Sequence, residues 1–167
     1  MQTVPAEETL PAEETLPAEE TLPAEETVDV GPPWPTKIAV VLREGLLPWQ
    51  ELNVTAFLAA AVAAAVPELI GRPYEDADGT RYLAMIRQPV LVLTGSAEVL
   101  ARARTRALER GLPTSLFTAD LFATGGDAEN RAAVRAVRGA DLDLVGIAVH
   151  GPKNAVDKVV KGARLHP

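Results

Sequence analysis

From residue 37 onward, apolar runs alternate with short polar knots, and the run lengths predict the elements. Residues 37–42 are nearly all apolar and too few for an ordinary helix, as in a strand covered on both faces. A polar knot follows, from Arg43 and Glu44 to Asn53 and Thr55, and residues 56–66 then carry no polar side chain. Pro48 suits a first helical turn and Pro67 a stop, so this stretch reads as a helix, apolar all round and therefore enclosed on every side. A strand feeding a buried helix opens an α/β sandwich, whose sites form where strands end.

The rest of the chain continues the alternation. Residues 90–94 form a second buried strand, and Ser96 caps a helix over 97–110 that Gly111 closes. Residues 114–118 give a third strand, a Gly125-Gly126 hinge precedes a helix over 128–137, and 142–149 form a fourth strand. Gly151-Pro152 starts a last helix through Val160, which Gly162 ends. Between the first helix and second strand, Asp76-Ala77-Asp78-Gly79 marks a hairpin turn with Gly79 at the positive-φ position. Its acids lack the spacing of a calcium loop. The expected fold is a three-layer α/β sandwich, with a small mixed sheet of about four strands and helices on both faces.

Charge divides the chain in two. Its net −7 is concentrated in residues 1–36, which hold nine acids and no Lys or Arg, whereas residues 37–167 carry 14 acids against 16 bases. Pro-Ala-Glu-Glu-Thr recurs from Pro5, Pro11, Pro17 and Pro23. Proline at every sixth position interrupts a helix, and one aliphatic residue per repeat offsets little ordering entropy. Residues 1–36 are therefore expected to be a disordered acidic tail, with Trp34 as an anchor on the domain that begins at residue 37. A body of charge +2 argues against strong RNA binding, so tRNA is not the favoured partner.

Several classes of chemistry have no representative. Without cysteine there is no thiol nucleophile, disulfide or thiolate metal site, and two histidines, His150 and His166, are too few for a histidine cage. Neither a Walker loop nor a Gly-x-Ser-x-Gly elbow occurs, and no metal or cofactor is expected. The longest apolar run falls well short of the ~20 residues that span a bilayer, and no signal peptide is legible, which points to a cytoplasmic protein without membrane contact. Arg102, Arg106 and Arg110 recur every four residues, as in a phosphate-facing stripe or, with Glu98 beside Arg102, a solvated helix face. Lys153, Asp157 and Lys161 have the spacing of helix-surface pairs.

The candidate site collects polar residues at two strand ends. Arg43 and Glu44 follow the first strand, Asn53 and Thr55 lie early in the first helix, and His150 and Lys153 follow the fourth strand. If these two junctions are neighbours, they form a ligand site.

The runs Lys37-Ile38-Ala39-Val40-Val41-Leu42-Arg43, Gly111-Leu112-Pro113-Thr114-Ser115-Leu116 and Val156-Asp157-Lys158-Val159 resemble the type II peptidyl-tRNA hydrolases. Trp49-Gln50-Glu51-Leu52-Asn53-Val54-Thr55-Ala56-Phe57, Pro73-Tyr74-Glu75-Asp76-Ala77-Asp78-Gly79 and residues 155–162 are similar to the uncharacterised bacterial family catalogued as domain of unknown function 2000, which shares that fold. The resemblance implies the type II hydrolase fold, and it also exposes departures. Where the hydrolases carry a Gly-Lys turn and a helix bearing Lys, Gln and His, this chain has Pro48-Trp49-Gln50 and a face of alanine and leucine. The implied function is a protein that lacks the parent catalytic set and binds a small ligand or protein partner. The alternative is a hydrolase of peptidyl-tRNA or a related ester or amide, with His150 and Lys153 in catalytic roles. The alanine-rich first helix also predicts a homo-oligomer.

Overall fold

The structure is a computed structural model that describes residues 34–167. The acidic repeat expected to form a disordered tail lies outside the described residues. In chain order the elements are β1 (Thr36–Arg43), α1 (Pro48–Ala65), β2 (Tyr74–Glu75), β3 (Arg81–Tyr82), β4 (Val90–Gly95), α2 (Ala97–Glu109), β5 (Thr114–Thr118), α3 (Asp127–Arg135), β6 (Leu144–Pro152), α4 (Lys153–Val159) and β7 (Arg164–Leu165). Short 3-10 turns at Pro67–Leu69, Ala119–Ala123 and Gly139–Asp141 join them.

β1 lies at the centre because it is apolar on both faces. The sheet runs β5-β6-β1-β4-β7, with β4 parallel to β1, β6 antiparallel to β1 and β5, and β7 antiparallel to β4. Ile38, Val40 and Leu42 enter one core cluster with Val54, Leu58 and Val62 of α1. Ala39 and Val41 enter the other with Leu100, Ala103 and Ala107 of α2 and Val156 and Val159 of α4. One strand thus supplies both cores, which is why its sequence shows no polar alternation. Gly146 on β6 permits the approach of α1, since a Cβ there would lie 2.4 Å from Val54 Cγ1 and 2.9 Å from Leu58 Cδ1.

The three-layer mixed sandwich is as expected, with one strand more. β7 pairs through only Leu93↔Leu165 and Thr94↔Arg164, too short a ladder to leave a hydrophobic pattern. The Asp76 turn is a hairpin connection: Gly79 has φ +82°, and Asp76 Oδ1 accepts from the backbone N–H of Asp78 (3.0 Å) and Thr80 (2.9 Å). Tyr82 donates its hydroxyl to Asp76 Oδ2 at 2.7 Å, so side-chain and backbone donors hold this carboxyl below its ordinary range. Trp34 lies under the Arg87 guanidinium, 5.2 Å from the ring centroid.

Two expectations are corrected and one is borne out in part. α1 is not enclosed: its buried residues are Val54, Leu58 and Val62, a single stripe, while Leu52 is 74% exposed and Phe57 55%. A sheet covers only one face of a helix, and no other element of the described residues lies over the alanines opposite it. The arginine stripe on α2 is solvated at Arg102 and Arg110, as expected of a helix face, but is not a free cationic face. Arg106 donates to the carbonyls of Val159 (3.4 Å) and Lys161 (3.0 Å), closing the end of α4, and Arg110 turns back to the Arg106 carbonyl. Asp157 pairs across to Lys37 of β1 instead of along its own helix.

Candidate functional site

The antiparallel entry of β6 separates the six residues expected to form one site. Register pairs Leu42 with Gly146 and Ile38 with His150, so Arg43 and His150 stand at opposite ends of the sheet, about 17 Å apart at ~3.3 Å per residue. Sequence order alone does not give strand direction, and that is why the two junctions looked adjacent. His150 and Lys153 also diverge. His150 shares a face of β6 with Gly146 and Ala148, which meet α1, whereas Lys153 opens α4 on the far side.

Each candidate has a definite environment. Arg43 is ion-paired to Asp143, and Glu44 accepts from Arg164 Nη1 at 2.6 Å. The Thr55 hydroxyl donates to the Glu51 carbonyl at 2.7 Å, an intrahelical bond that leaves it little freedom. Half-buried His150 has an Nε2 atom that is out of solvent and without a hydrogen-bond partner. Burial pushes its pKa down, against a weaker upward pull from Glu68. Asn53, exposed and with no side-chain bond within the described residues, opens onto the more polar of two concave surfaces that flank α1.

That surface is a cleft of about 440 Å³ between the first turns of α1 and the segment leading into α3. Its floor is aromatic. The chain has only three phenylalanines, and Phe57, Phe117 and Phe122 all meet here with Trp49. Trp49 stands edge-on to Phe122 (5.6 Å between centroids), Phe57 edge-on to Phe117 (5.8 Å), and Phe117 tilts against Phe122 (5.1 Å). Phe117 is buried, but Trp49 and Phe57 are each 55% exposed and present ring surface to the cleft. Polar groups form the rim: Asn53 on one side, and Asp127 and Asn130 of α3 on the other.

Local bonding explains why the segment before α3 holds its shape. Glu129 Oε2 accepts from the Gly125 N–H at 2.7 Å, the Thr124 hydroxyl donates to the Leu121 carbonyl at 3.0 Å, and Asn130 Oδ1 meets the same hydroxyl. Sequence reasoning found Asn53 but not the aromatic floor. The available signal was composition: in a chain with 4% aromatic residues, three of the seven lie at positions 49, 57 and 122, outside the predicted strands.

A second groove, on the other flank of α1, is lined by Leu52, Thr55 and Ala56 with Leu42, Val92 and His166. His166 Nε2 stands 3.2 Å from Glu51 Oε1, and its Nδ1 lies 3.1 Å from the Pro167 oxygen. The contact with Pro167, then that with Glu51, raises the His166 pKa. No group of three or more metal-ligating side chains occurs among the described residues. Nor is any described helix long and apolar enough to cross a membrane.

Fold and cleft together define an α/β sandwich domain with a mixed five-stranded sheet and an aromatic-floored cleft beside its first helix. Residues 36–167 match the model of the family described as Protein of unknown function (DUF2000), and the chain belongs to that family. It is also similar to the solved structure of a protein of unknown function from Agrobacterium tumefaciens, with 42% identity and a TM-score of 0.78, covering 80% of this chain and 99% of that one. A search of curated proteins finds no match.

Proposed function

We propose that this protein binds a small planar ligand in the cleft between α1 and α3. The observation that carries the proposal is the convergence of every phenylalanine in the chain, with Trp49, on one open concavity rimmed by Asn53, Asp127 and Asn130. Half-exposed rings on a surface are costly to leave in water, and a flat ligand stacked on them gains about 0.5 to 1.5 kcal/mol per aromatic pair beyond area burial. The rim offers amide donors and acceptors and one carboxylate, which suits a ligand with its own amide or amine edge. The residues lining the cleft include no histidine, lysine or arginine, so the arrangement is built for recognition.

The runs in β1 and after α2 support grouping the fold with the type II peptidyl-tRNA hydrolases, and the replaced helix face supports binding over hydrolysis. Saturation-transfer NMR on the full chain, with indole and nicotinamide as probes, tests the reading. Ring protons of at least one probe are expected to receive magnetisation, and Trp49→Ala and Asn53→Ala should each weaken the effect. Transfer that both substitutions leave unchanged, or none to either probe, overturns the assignment.

A further inference from the structure

On the opposite side of the sheet from that cleft, α2 and the 3-10 turn Gly139–Asp141 border a further, open concavity of about 480 Å³. Three arginines line it, Arg102, Arg104 and Arg106, against one acid, Glu109. Their roles differ. Arg106 is committed to the carbonyls at the end of α4, and Arg102 is exposed. Arg104 is half-buried and makes no hydrogen bond or ion pair among the described residues.

Arg104 lies alongside Gly139. A Cβ on Gly139 would lie 2.3 Å from its Nη2, 3.0 Å from Cζ and 3.3 Å from Nη1, so all three atoms lie close against the glycine backbone. A side chain at residue 139 would push the guanidinium aside, so glycine leaves it this place. Its nitrogens stay in contact with solvent and have no acceptor among the described residues, so their N–H groups are free to meet a ligand. Its planar fork suits two oxygens of a single oxyanion.

We infer that this concavity is a binding site for a small organic phosphate, with Arg104 gripping the phosphate and Gly139 positioning Arg104. The lining charge of three arginines against one glutamate complements a phosphomonoester, which carries about −1.5 to −2 at neutral pH. Leu142, Leu144, Ala101 and Ala140 supply an apolar wall for the organic part. A phosphate of RNA would present the same chemistry. Arg106 and Arg110, both turned in to backbone carbonyls, interrupt the row of cations that a polymer needs along a track, which favours one small anion.

The test is a titration of the full-length 15N-labelled chain with phenyl phosphate, inorganic phosphate or a short single-stranded RNA, at constant ionic strength with chloride replaced. Saturable shifts are expected at the Arg104 Nε–H and the Gly139 and Ala140 amides, with phenyl phosphate tighter than inorganic phosphate because its ring reaches the leucines. Arg104→Gln should weaken phenyl phosphate at least about tenfold, the loss of one charge-assisted bidentate contact. Gly139→Ala displaces only a flexible side-chain end, so it should weaken binding while leaving the melting temperature unchanged. Absence of saturation, equal affinity in Arg104→Gln, or RNA binding tighter than phenyl phosphate overturns the inference. Each result is independent of the α1 cleft, which shares none of these residues.

Discussion

Gly146 is the position at which the packing of α1 on the sheet can be measured most directly. A Cβ added there would sit 2.4 Å from Val54 Cγ1 and 2.9 Å from Leu58 Cδ1, against an ordinary contact of about 3.5 to 4.0 Å. Val54 and Leu58 are 0% and 1% exposed, so neither has a free rotamer into which to retreat. Overpacking of a closed core costs about 1 to 3 kcal/mol, partly offset by the ~0.5 to 1 kcal/mol that alanine gains over glycine in chain entropy. Gly146→Ala is therefore expected to lose about 1 to 2 kcal/mol, the difference of those two effects. Val54→Ala alone removes two buried methyl groups and should cost about 2 kcal/mol, including the cavity it leaves.

The two changes should not add. In Gly146→Ala/Val54→Ala the new methyl occupies space that the removed Cγ1 vacated, so the double variant should be more stable than the sum of the singles by at least about 1 kcal/mol. Urea denaturation followed by far-UV circular dichroism on all four proteins, with equal m-values as the check on two-state behaviour, gives the coupling. A coupling within about 0.3 to 0.5 kcal/mol of zero would mean that α1 does not rest on Gly146 as described, and the placement of the cleft beside α1 would fall with it.

The remaining predictions concern titration, catalysis and assembly. Burial lowers the His150 pKa from 6.5, so the native state binds fewer protons than the unfolded one; its contribution to stability is complete above pH 6.5 and is lost as pH falls toward its depressed folded value. Urea midpoints at about pH 5 and about pH 8 should therefore differ more in the parent than in His150→Leu, and equal differences would refute the assignment. His150→Leu should also be neutral or stabilising at the higher pH, because the partnerless Nε2 costs about 1 to 3 kcal/mol to bury. With His150 and Lys153 on opposite sides of the sheet, the purified chain should hydrolyse peptidyl-tRNA at the buffer rate; turnover abolished by His150→Ala would restore the hydrolase reading. The exposed face of Leu52, Ala56 and Ala60 on α1 should make the protein self-associate in sedimentation equilibrium, and Ala60→Glu should return it to monomer. A parent chain that sediments as a monomer throughout would rule this out.

Local pattern was sufficient for most of the elements, because burial on two faces, a serine cap, a glycine stop and an Asp-Gly turn act over a few residues. The sequence by itself therefore determined that β1 is a central strand, that α2 starts at Ser96 and that residues 74–82 turn back on themselves. It also separated the acidic repeat from the body by charge alone. The direction of β6, the open face of α1 and the company each polar residue keeps depend on contacts between distant segments, which leave no periodic trace. Antiparallel pairing of β6 with β1 sent His150 to the far end of the sheet from Arg43, and only Asn53 of the six expected residues reached the aromatic cleft. Arg104, indistinguishable from its neighbours in a row of arginines, became distinct only when a glycine 35 positions later was laid against it. Tertiary structure decided the site because strand direction and close approach are properties of the assembled sheet, where loop closure brings together residues that no local interaction had linked.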